Sequence, residues 1–149
     1  MSPKFYQKYV PNFKTKPVIN QVEFNHYFQQ NQLRQLMVQD DVVVEVWAPL
    51  GQGNADLLKE PVLQKIAERH HKNVGQVILR FEHQLGIIVF PKSTHDERIK
   101  SNIDIFDFAL SSAEMDAIKD LDKGKGSHDP DAPGVGYYLL KAFDIHAND

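Results

Sequence analysis

The chain has 149 residues, 42% of them hydrophobic, and this size and composition predict one globular domain with a substantial core. A net charge of −3 excludes a general electrostatic attraction to nucleic acid or to an anionic membrane, so any basic site is expected to be local. Because the sequence has no cysteine, disulfides and cysteine nucleophiles are excluded, and because no apolar run has the length of a leader or a membrane span, we expect a cytoplasmic protein.

Strand and helix patterns alternate along the chain. Residues 18–24 are a strand candidate, and in residues 29–39 apolar side chains recur at helical spacing. Residues 42–47 are β-branched and almost continuously apolar, as is typical of a strand covered on both faces. The pattern then predicts helices at 61–71 and 74–85, a strand at 87–90, and helices at 96–102 and 112–121. The last helix has the start of a capping box, with Ser111 as N-cap and Glu114 three residues later.

This alternation predicts parallel strands joined by right-handed crossovers, with helices on the faces of the sheet. Ligands of such folds bind beyond the carboxyl ends of the strands. The segments 21–23, 47–51 and 91–93 all follow or end predicted strands. We therefore expect these three segments to meet on one side of the sheet.

The segment with the clearest chemical signal lies where the third strand ends. Lys92 and Ser93 follow the apolar run 87–90 just before a helix begins, and Arg98 lies in that helix. Free N–H groups and the positive end of the helix dipole attract an anion there, and Lys adds a point charge and Arg a planar fork. The pattern indicates a phosphate site, although a Lys and an Arg six residues apart are most often a solvated surface.

In order and spacing, the segments 18–23, 47–53 and 91–93, followed by Arg98 and Asn102, resemble consecutive motifs of the aldo-keto reductase family. The resemblance extends over most of the chain and implies an α/β fold. That fold would be the C-terminal part of a (β/α)8 TIM barrel, with about three main parallel strands and flanking helices. Bacterial didehydrogluconate reductases look most similar within the family.

The resemblance implies that the chain binds the adenosine end of NADPH. Residues matching Lys92 and Arg98 bind the 2′-phosphate in the family, and those matching Ser93, Thr94 and Asn102 contact the adenosine. A Lys with an Arg would select NADPH over NADH, because only NADPH carries that phosphate.

The same resemblance implies contacts with the nicotinamide end of NADPH. The residue matching Gln21 bonds the nicotinamide carboxamide, and an aromatic residue at the position of Trp47 stacks on the ring. Leu50, Gly51 and Gln52 match the loop along the pyrophosphate, where glycine admits a phosphate closely. Taken alone, Trp47 would more often be a core residue and Gln21 a surface residue.

The N-terminal residues are expected to form an irregular segment, a remnant of the fifth barrel strand. Residues 9–13 resemble the Gly-Val-Ser-Asn-Phe motif of that strand, so Asn12 would match an Asn that binds nicotinamide. Only residues 14–16 separate this motif from the first clear strand, where the family has a whole helix. The resemblance thus divides the chain into residues 1–16, a barrel part at 17–123 and a tail at 124–149.

Catalysis in the family resembles general acid chemistry, in which a Tyr protonates the carbonyl as hydride arrives, assisted by a Lys paired with an Asp and by a His. Those residues lie on earlier strands, and no motif here matches them, so we expect no catalytic residue on this chain. Adjacent His70 and His71 do not have the spacing of a metal pair, so we expect no metal site. Tyr6, Tyr9 and Tyr27 lack the flanking residues of the family's catalytic Tyr. The sequence likewise assigns no catalytic role to Lys4, Lys8 or His26.

Two functional hypotheses follow. In the first, the protein is an NADPH-dependent reductase of small aldehydes or ketones, present as a truncated chain that acts only if another chain supplies the missing strands and acid. In the second, it is an inactive nucleotide-binding or interaction fragment. The second is favoured because lost neighbours would uncover inward residues such as Val18, Val44 and Val89 and expose strand edges that promote self-association. We expect no nucleic acid or membrane partner.

Overall fold

A computed structural model describes residues 2–51 and 56–127 of the chain. All the predicted helices and strands are present, with bounds within two residues of the predicted ones. An additional helix precedes them. The elements are α1 (Pro3–Tyr9), β1 (Ile19–Glu23), α2 (Asn31–Gln39), β2 (Val43–Trp47), α3 (Pro61–His70), α4 (Val74–Gln84), β3 (Ile88–Val89), α5 (Asp96–Ile103) and α6 (Ser112–Lys119), with short 3₁₀ turns at Val10–Asn12 and Leu57–Lys59.

The three strands form one parallel sheet in the order β1-β2-β3. In the register between β1 and β2, Gln21 lies opposite Glu45 and Glu23 lies opposite Trp47. Helices connect consecutive strands, so the predicted α/β architecture with parallel strands and flanking helices is confirmed.

One face of the sheet is covered by helices. Val22, Val44 and Val46 are at most 7% exposed and belong to the same core cluster as apolar residues of α2, α3, α4 and α6. Val89 also packs against this cluster. The expectation that Val44 and Val89 would lose their packing is therefore wrong, because side chains alternate along a strand and these two point toward the helices.

The opposite face of the sheet, which we call the open face, is defined by Ile19, Gln21, Val43, Glu45 and Ile88. Its apolar members are between 39% and 44% exposed. Within residues 2–51 and 56–127, no helix or strand covers it. An uncovered sheet face was thus predicted, but in β2 and β3 it was assigned to Val44 and Val89 and not to the neighbouring Val43 and Ile88.

The N-terminal segment is helical, which corrects the expected strand remnant. Ser2 Oγ accepts a hydrogen bond from the backbone N–H of Phe5 at 3.2 Å, and Pro3 occupies the first turn, where its missing N–H has no cost. Tyr6 and Val10, four residues apart, are buried in the core. Residues 9–13 therefore end a helix and form a turn, and α1 is itself the helix that precedes β1.

Glu114 joins α6 to α3. Its carboxylate accepts hydrogen bonds from the Ser111 backbone N–H at 2.9 Å and from Arg69 Nη1 at 2.8 Å, and it contacts His70 Nε2 at 3.1 Å. This confirms the predicted capping box. Burial raises the pKa of Glu114, but the bonds from Ser111, His70 and Arg69 outweigh it and lower the pKa to about 2.

We predict that Glu114→Gln lowers the free energy of unfolding by about 2 kcal/mol at pH 7, because the buried carboxylate loses its charge-assisted hydrogen bonds from Ser111 and Arg69. The folded-state pKa lies below the ordinary value of 4.5, so this contribution is complete above that pH and is lost as the pH falls toward 2. Urea denaturation at several pH values measures it. Glu68→Gln, at an exposed position of α3, is the control. A constant difference between wild type and Glu114→Gln down to pH 2 would contradict the assignment.

Candidate functional site

A cleft of about 410 Å³ lies at the carboxyl ends of β1 and β2. The paired strand ends Glu23 and Trp47 line it, so the parallel register itself brings these two side chains together. The predicted meeting of the strand ends is therefore observed for β1 and β2. The other lining residues are Asn25, Tyr27, Ala48, Gly51, Leu57, Lys125, Gly126 and Ser127.

The loop that leaves β2 turns sharply at the rim of the cleft. Ala48 and Gly51 both have positive φ angles, 56° and 78°, and the Gly51 N–H donates to the Ala48 carbonyl at 2.9 Å. Leu50 packs against the core cluster and holds this loop in place. Gln52, which was predicted to belong to the same loop, lies outside the described residues.

Gln21 lies on the open face, two residues before the end of β1. Its Nε2 donates a hydrogen bond to Glu45 Oε1 at 2.8 Å. Because a carboxylate only accepts, the amide nitrogen of Gln21 must face Glu45. The amide oxygen of Gln21 is thereby left to accept a hydrogen bond from another molecule.

The exit from β3 leads directly into α5. Ser93 Oγ accepts a hydrogen bond from the His95 N–H at 3.1 Å, and Thr94 Oγ1 lies 3.3 Å from His95 Nδ1. Lys92 and Arg98 are exposed and make no ion pair with any described residue.

The start of α5 is open to a ligand but not strongly positive by itself. No side chain caps its first N–H groups, and Asp96 and Glu97 lie in its first turn. These carboxylates complement the helix dipole and reduce the positive potential that it offers to an anion. Anion binding at this end would therefore depend on Lys92 and Arg98. Asn102, one turn further along α5, is partly buried.

A segment that follows α6 closes one side of the cleft, and we call residues 125–127 the closing segment. The Ser127 N–H donates to Glu23 Oε1 at 2.8 Å. Gly126 is packed so closely that a Cβ atom there would lie 2.7 Å from the Phe28 ring and 2.9 Å from Glu23 Oε2. The absence of a side chain at residue 126 is thus what lets the segment reach the strand end.

Similarity to known proteins identifies the family of this chain. The model of the aldo/keto reductase family matches residues 3–123. The chain belongs to the aldo-keto reductase family. The matched residues include all of α1, so the family resemblance begins before β1.

Curated aldo-keto reductase relatives are similar over most of this chain. Bacillus subtilis glyoxal reductase is 47% identical over 108 residues, and a Trypanosoma cruzi 9,11-endoperoxide prostaglandin H2 reductase is 42% identical over 120. These matches cover 72% and 79% of this chain but only 38% and 42% of the relatives. The chain therefore spans less than half the length of these two enzymes.

Solved aldo-keto reductase structures share the fold. The apo crystal structure of Gox0644 has a TM-score of 0.82 and 33% identity, and covers 90% of this chain and 49% of that one. A variant of Gox0644 in complex with NADPH has a TM-score of 0.81. A Bombyx mori aldo-keto reductase in complex with NADP is 31% identical, with a TM-score of 0.77. Three parallel strands of an aldo-keto reductase barrel are thus present here.

Asn12 is the one predicted cofactor residue of the described chain that the fold places apart from the strand ends. It ends the turn before β1, and its Nδ2 donates to the Lys8 carbonyl at 2.9 Å. Nearby, Lys16 pairs with Asp40, just before β2 begins. This segment therefore runs along the amino ends of the strands, opposite the cleft.

Tyr27 lines the cleft, although the sequence predicted no role for it there. Its hydroxyl donates to Glu60, and Lys123 Nζ lies 3.3 Å from the ring centroid. Burial and the hydrogen bond to Glu60 raise the pKa of Tyr27 to about 12. A carboxylate neighbour thus opposes the lowered pKa that an acid catalyst needs. Contact between residues 27 and 123 joins distant parts of the chain, so no local pattern indicated it.

His26 belongs to the core and does not face the cleft opening. It is 1% exposed, and neither ring nitrogen has a partner among the described residues. Burial lowers the pKa of His26 to about 4, so the ring is neutral at pH 7. An orienting role toward a substrate would require an exposed ring nitrogen.

In residues 2–51 and 56–127 no three His, Cys, Asp or Glu side chains are grouped so that they could hold a metal ion. None of the helices described there combines the length and the apolar character needed to cross a bilayer.

We predict that Gly126→Ala displaces the closing segment and lowers the free energy of unfolding by about 1 to 2 kcal/mol, because the new methyl group overlaps the Phe28 ring. Trp47 is the only tryptophan and lines the same cleft, so its emission reports the displacement. The same substitution in a Phe28→Ala background should cost less, since the overlapping ring is gone. Equal costs in both backgrounds would refute this packing argument.

Proposed function

We propose that this chain is the cofactor-binding part of an NADPH-dependent aldo-keto reductase that reduces aldehydes or ketones. The observation that carries the proposal is the placement of Lys92 and Arg98, which form no ion pair with any described residue, around the start of α5. They follow the third strand of a sheet whose first two strands end at a cleft lined by Trp47. Related enzymes of this fold form complexes with NADPH and NADP.

At the adenosine end, Lys92 and Arg98 would hold the 2′-phosphate. Both are exposed and free to turn toward an anion, and the guanidinium can pair with two phosphate oxygens at once. Ser93, Thr94 and Asn102 would contact the adenosine from the same loop and helix. Ser93 already uses its hydroxyl oxygen to accept from His95, and its hydroxyl hydrogen remains available as a donor.

At the nicotinamide end, Trp47 would stack on the ring and Gln21 would bond the carboxamide. Trp47 is partly buried at the strand end and lines the cleft, where its indole could stack on a planar ring. Leu50, Gly51 and Gln52 would follow the pyrophosphate. Gly51 suits that position because it adopts a positive φ angle and, without a side chain, lets a phosphate approach the backbone closely. Asn12 keeps its predicted cofactor role only if the N-terminal turn is rearranged.

Bound NADPH would supply hydride for reduction of a carbonyl compound. The residues of this chain would hold and orient the nicotinamide, while the proton donor would come from elsewhere in the complete barrel. Tyr27 is unsuited to donate that proton, because Glu60 accepts its hydrogen bond and its pKa is raised to about 12. The proposal places the cofactor-binding unit at residues 17–123 with a tail from 124, in a cytoplasmic protein that acts on small molecules and not on nucleic acid.

The second candidate function is an inactive nucleotide-binding or interaction fragment. It is favoured by the open face and by Tyr27, whose raised pKa makes it unsuited to protonate a carbonyl. Such a chain would bind NADPH without transferring hydride. Exposed strand edges would also promote self-association of such a fragment.

We predict that Lys92→Ala with Arg98→Ala weakens NADPH binding about 100-fold and NADH binding less than about 3-fold, because two charge-assisted contacts to the 2′-phosphate are lost. Quenching of Trp47 emission during titration measures both affinities. Lys100→Ala is the matched control, an exposed lysine on the same helix. If the double variant lost NADPH and NADH equally, the 2′-phosphate assignment would be removed.

We predict that the purified chain binds NADPH but does not oxidise it in the presence of glyoxal or other small aldehydes. The expected rate is that of the buffer, because no described group is placed to protonate the carbonyl. Absorbance of NADPH at its reduced-form maximum measures turnover, and size-exclusion chromatography reports the assembly. Robust turnover by a monomer would refute the proposal that these residues bind the cofactor but do not supply the proton donor.

A further inference from the structure

Glu45 is the one charged residue of β2, a strand that is otherwise apolar. Its side chain lies on the open face, with Val43 two residues earlier on the same strand and Ile88 opposite it on β3. The side chain is partly buried, and no cation in residues 2–51 and 56–127 forms an ion pair with it. The charge of Glu45 is therefore not neutralised within the described chain, and its apolar neighbours reduce screening by water.

Glu45 is bonded to Gln21, the residue proposed to bond the nicotinamide carboxamide. Gln21 Nε2 donates to Glu45 Oε1 at 2.8 Å, across the register that sets these two residues opposite each other. Trp47 follows Glu45 by two residues on the same strand, so both side chains point to the same face. Two residues along a strand span about 7 Å, so a planar ring held by Gln21 and Trp47 would lie within roughly that distance of the carboxylate.

The charge of that ring depends on its oxidation state. The dihydronicotinamide ring of NADPH is neutral, and the nicotinamide ring of NADP⁺ carries one positive charge. Transfer of a hydride, with its two electrons, from the ring to a carbonyl carbon creates this charge, while the carbonyl oxygen takes up a proton from a general acid. A fixed negative charge near the ring therefore stabilises the oxidised form and not the reduced form.

We propose that Glu45 is a specificity-determining residue that shifts the binding preference of this site toward NADP⁺. This rests on the proposed function, because it requires the nicotinamide to lie between Gln21 and Trp47. By the same interaction Glu45 favours hydride donation by the bound cofactor, since it stabilises the charge that the ring gains. Its hydrogen bond to Gln21 has a separate role, which is to fix the orientation of the Gln21 amide.

The variant Glu45→Gln separates the charge from the hydrogen bond, because the new amide oxygen can still accept from Gln21. We expect the dissociation constant of NADP⁺, divided by that of NADPH, to rise about 10-fold. A Coulomb interaction between unit charges about 7 Å apart is worth about 3-fold in water and about 50-fold at the effective dielectric constant of a protein surface. The phosphates are common to both forms, so their repulsion by Glu45 cancels in the ratio. Isothermal titration calorimetry of the purified chain measures both constants.

Two further variants serve as controls. Glu68→Gln removes an exposed carboxylate from α3 and should leave the ratio within about 2-fold of the wild-type value, because a distant surface charge is screened. Glu45→Ala removes the hydrogen bond as well as the charge. It should raise the ratio as Glu45→Gln does and should also weaken NADPH binding, because Gln21 is no longer held. Circular dichroism checks that each variant is folded.

The outcomes separate the role of Glu45 from the proposed function. A rise of the ratio in Glu45→Gln that Glu68→Gln does not show would support the inference. An unchanged ratio in Glu45→Gln, or an equal loss of affinity for both forms, would overturn it and keep the proposed function. Failure of the wild-type chain to bind either form would refute both.

Discussion

The parallel register between β1 and β2 is the constraint on which the rest of the structure depends. It sets Gln21 beside Glu45 and Glu23 beside Trp47, and it leaves Val22 and Val46 to face the helices. A slip of one residue in either strand would turn its polar or aromatic residues into the core and its valines into solvent. Burial of the valines therefore fixes the geometry of the cleft as well as the stability of the sheet.

Local signals were sufficient to predict most of the helices. The α4 helix begins with a complete capping box made by Asn73 and Gln76, and α6 begins with one made by Ser111 and Glu114. In each case the side chains that define the start are close in sequence, so the pattern can be recognised without the fold. The pattern after β3 that indicates a phosphate site at Lys92 could also be recognised, because its residues are close in sequence.

Three features could not be predicted from local patterns. At the N-terminus, the cap by Ser2 and the core contact of Tyr6 favour a helix, while residues 9–13 resemble a strand motif and led to the wrong element. In β2, valines occur on both faces, so periodicity could not tell Val43 from Val44. The approach of Lys123 to Tyr27 joins residues 96 positions apart and is fixed by tertiary packing alone.

In the proposed function, cofactor binding and proton donation would depend on different strands. The described chain carries the loop at Gly51, the start of α5 and the indole of Trp47, each positioned by its own strand and helix. Leu50, Val44 and Val46 anchor the second strand and its loop in the core that the described residues form. The proposed nucleotide-binding surface would thus be held in place by the core of this chain.

The hydrogen bond between Gln21 and Glu45 also has a consequence for recognition. Because one N–H of the Gln21 amide is engaged by Glu45, the amide oxygen would, in the proposed binding mode, be the group that accepts from the NH₂ of a nicotinamide carboxamide. A ring that carried a carboxylate in place of the carboxamide would meet an acceptor, with the charge of Glu45 behind it. This pair of strand residues would therefore discriminate the amide form of the pyridine from its acid form, which differ by a single heavy atom.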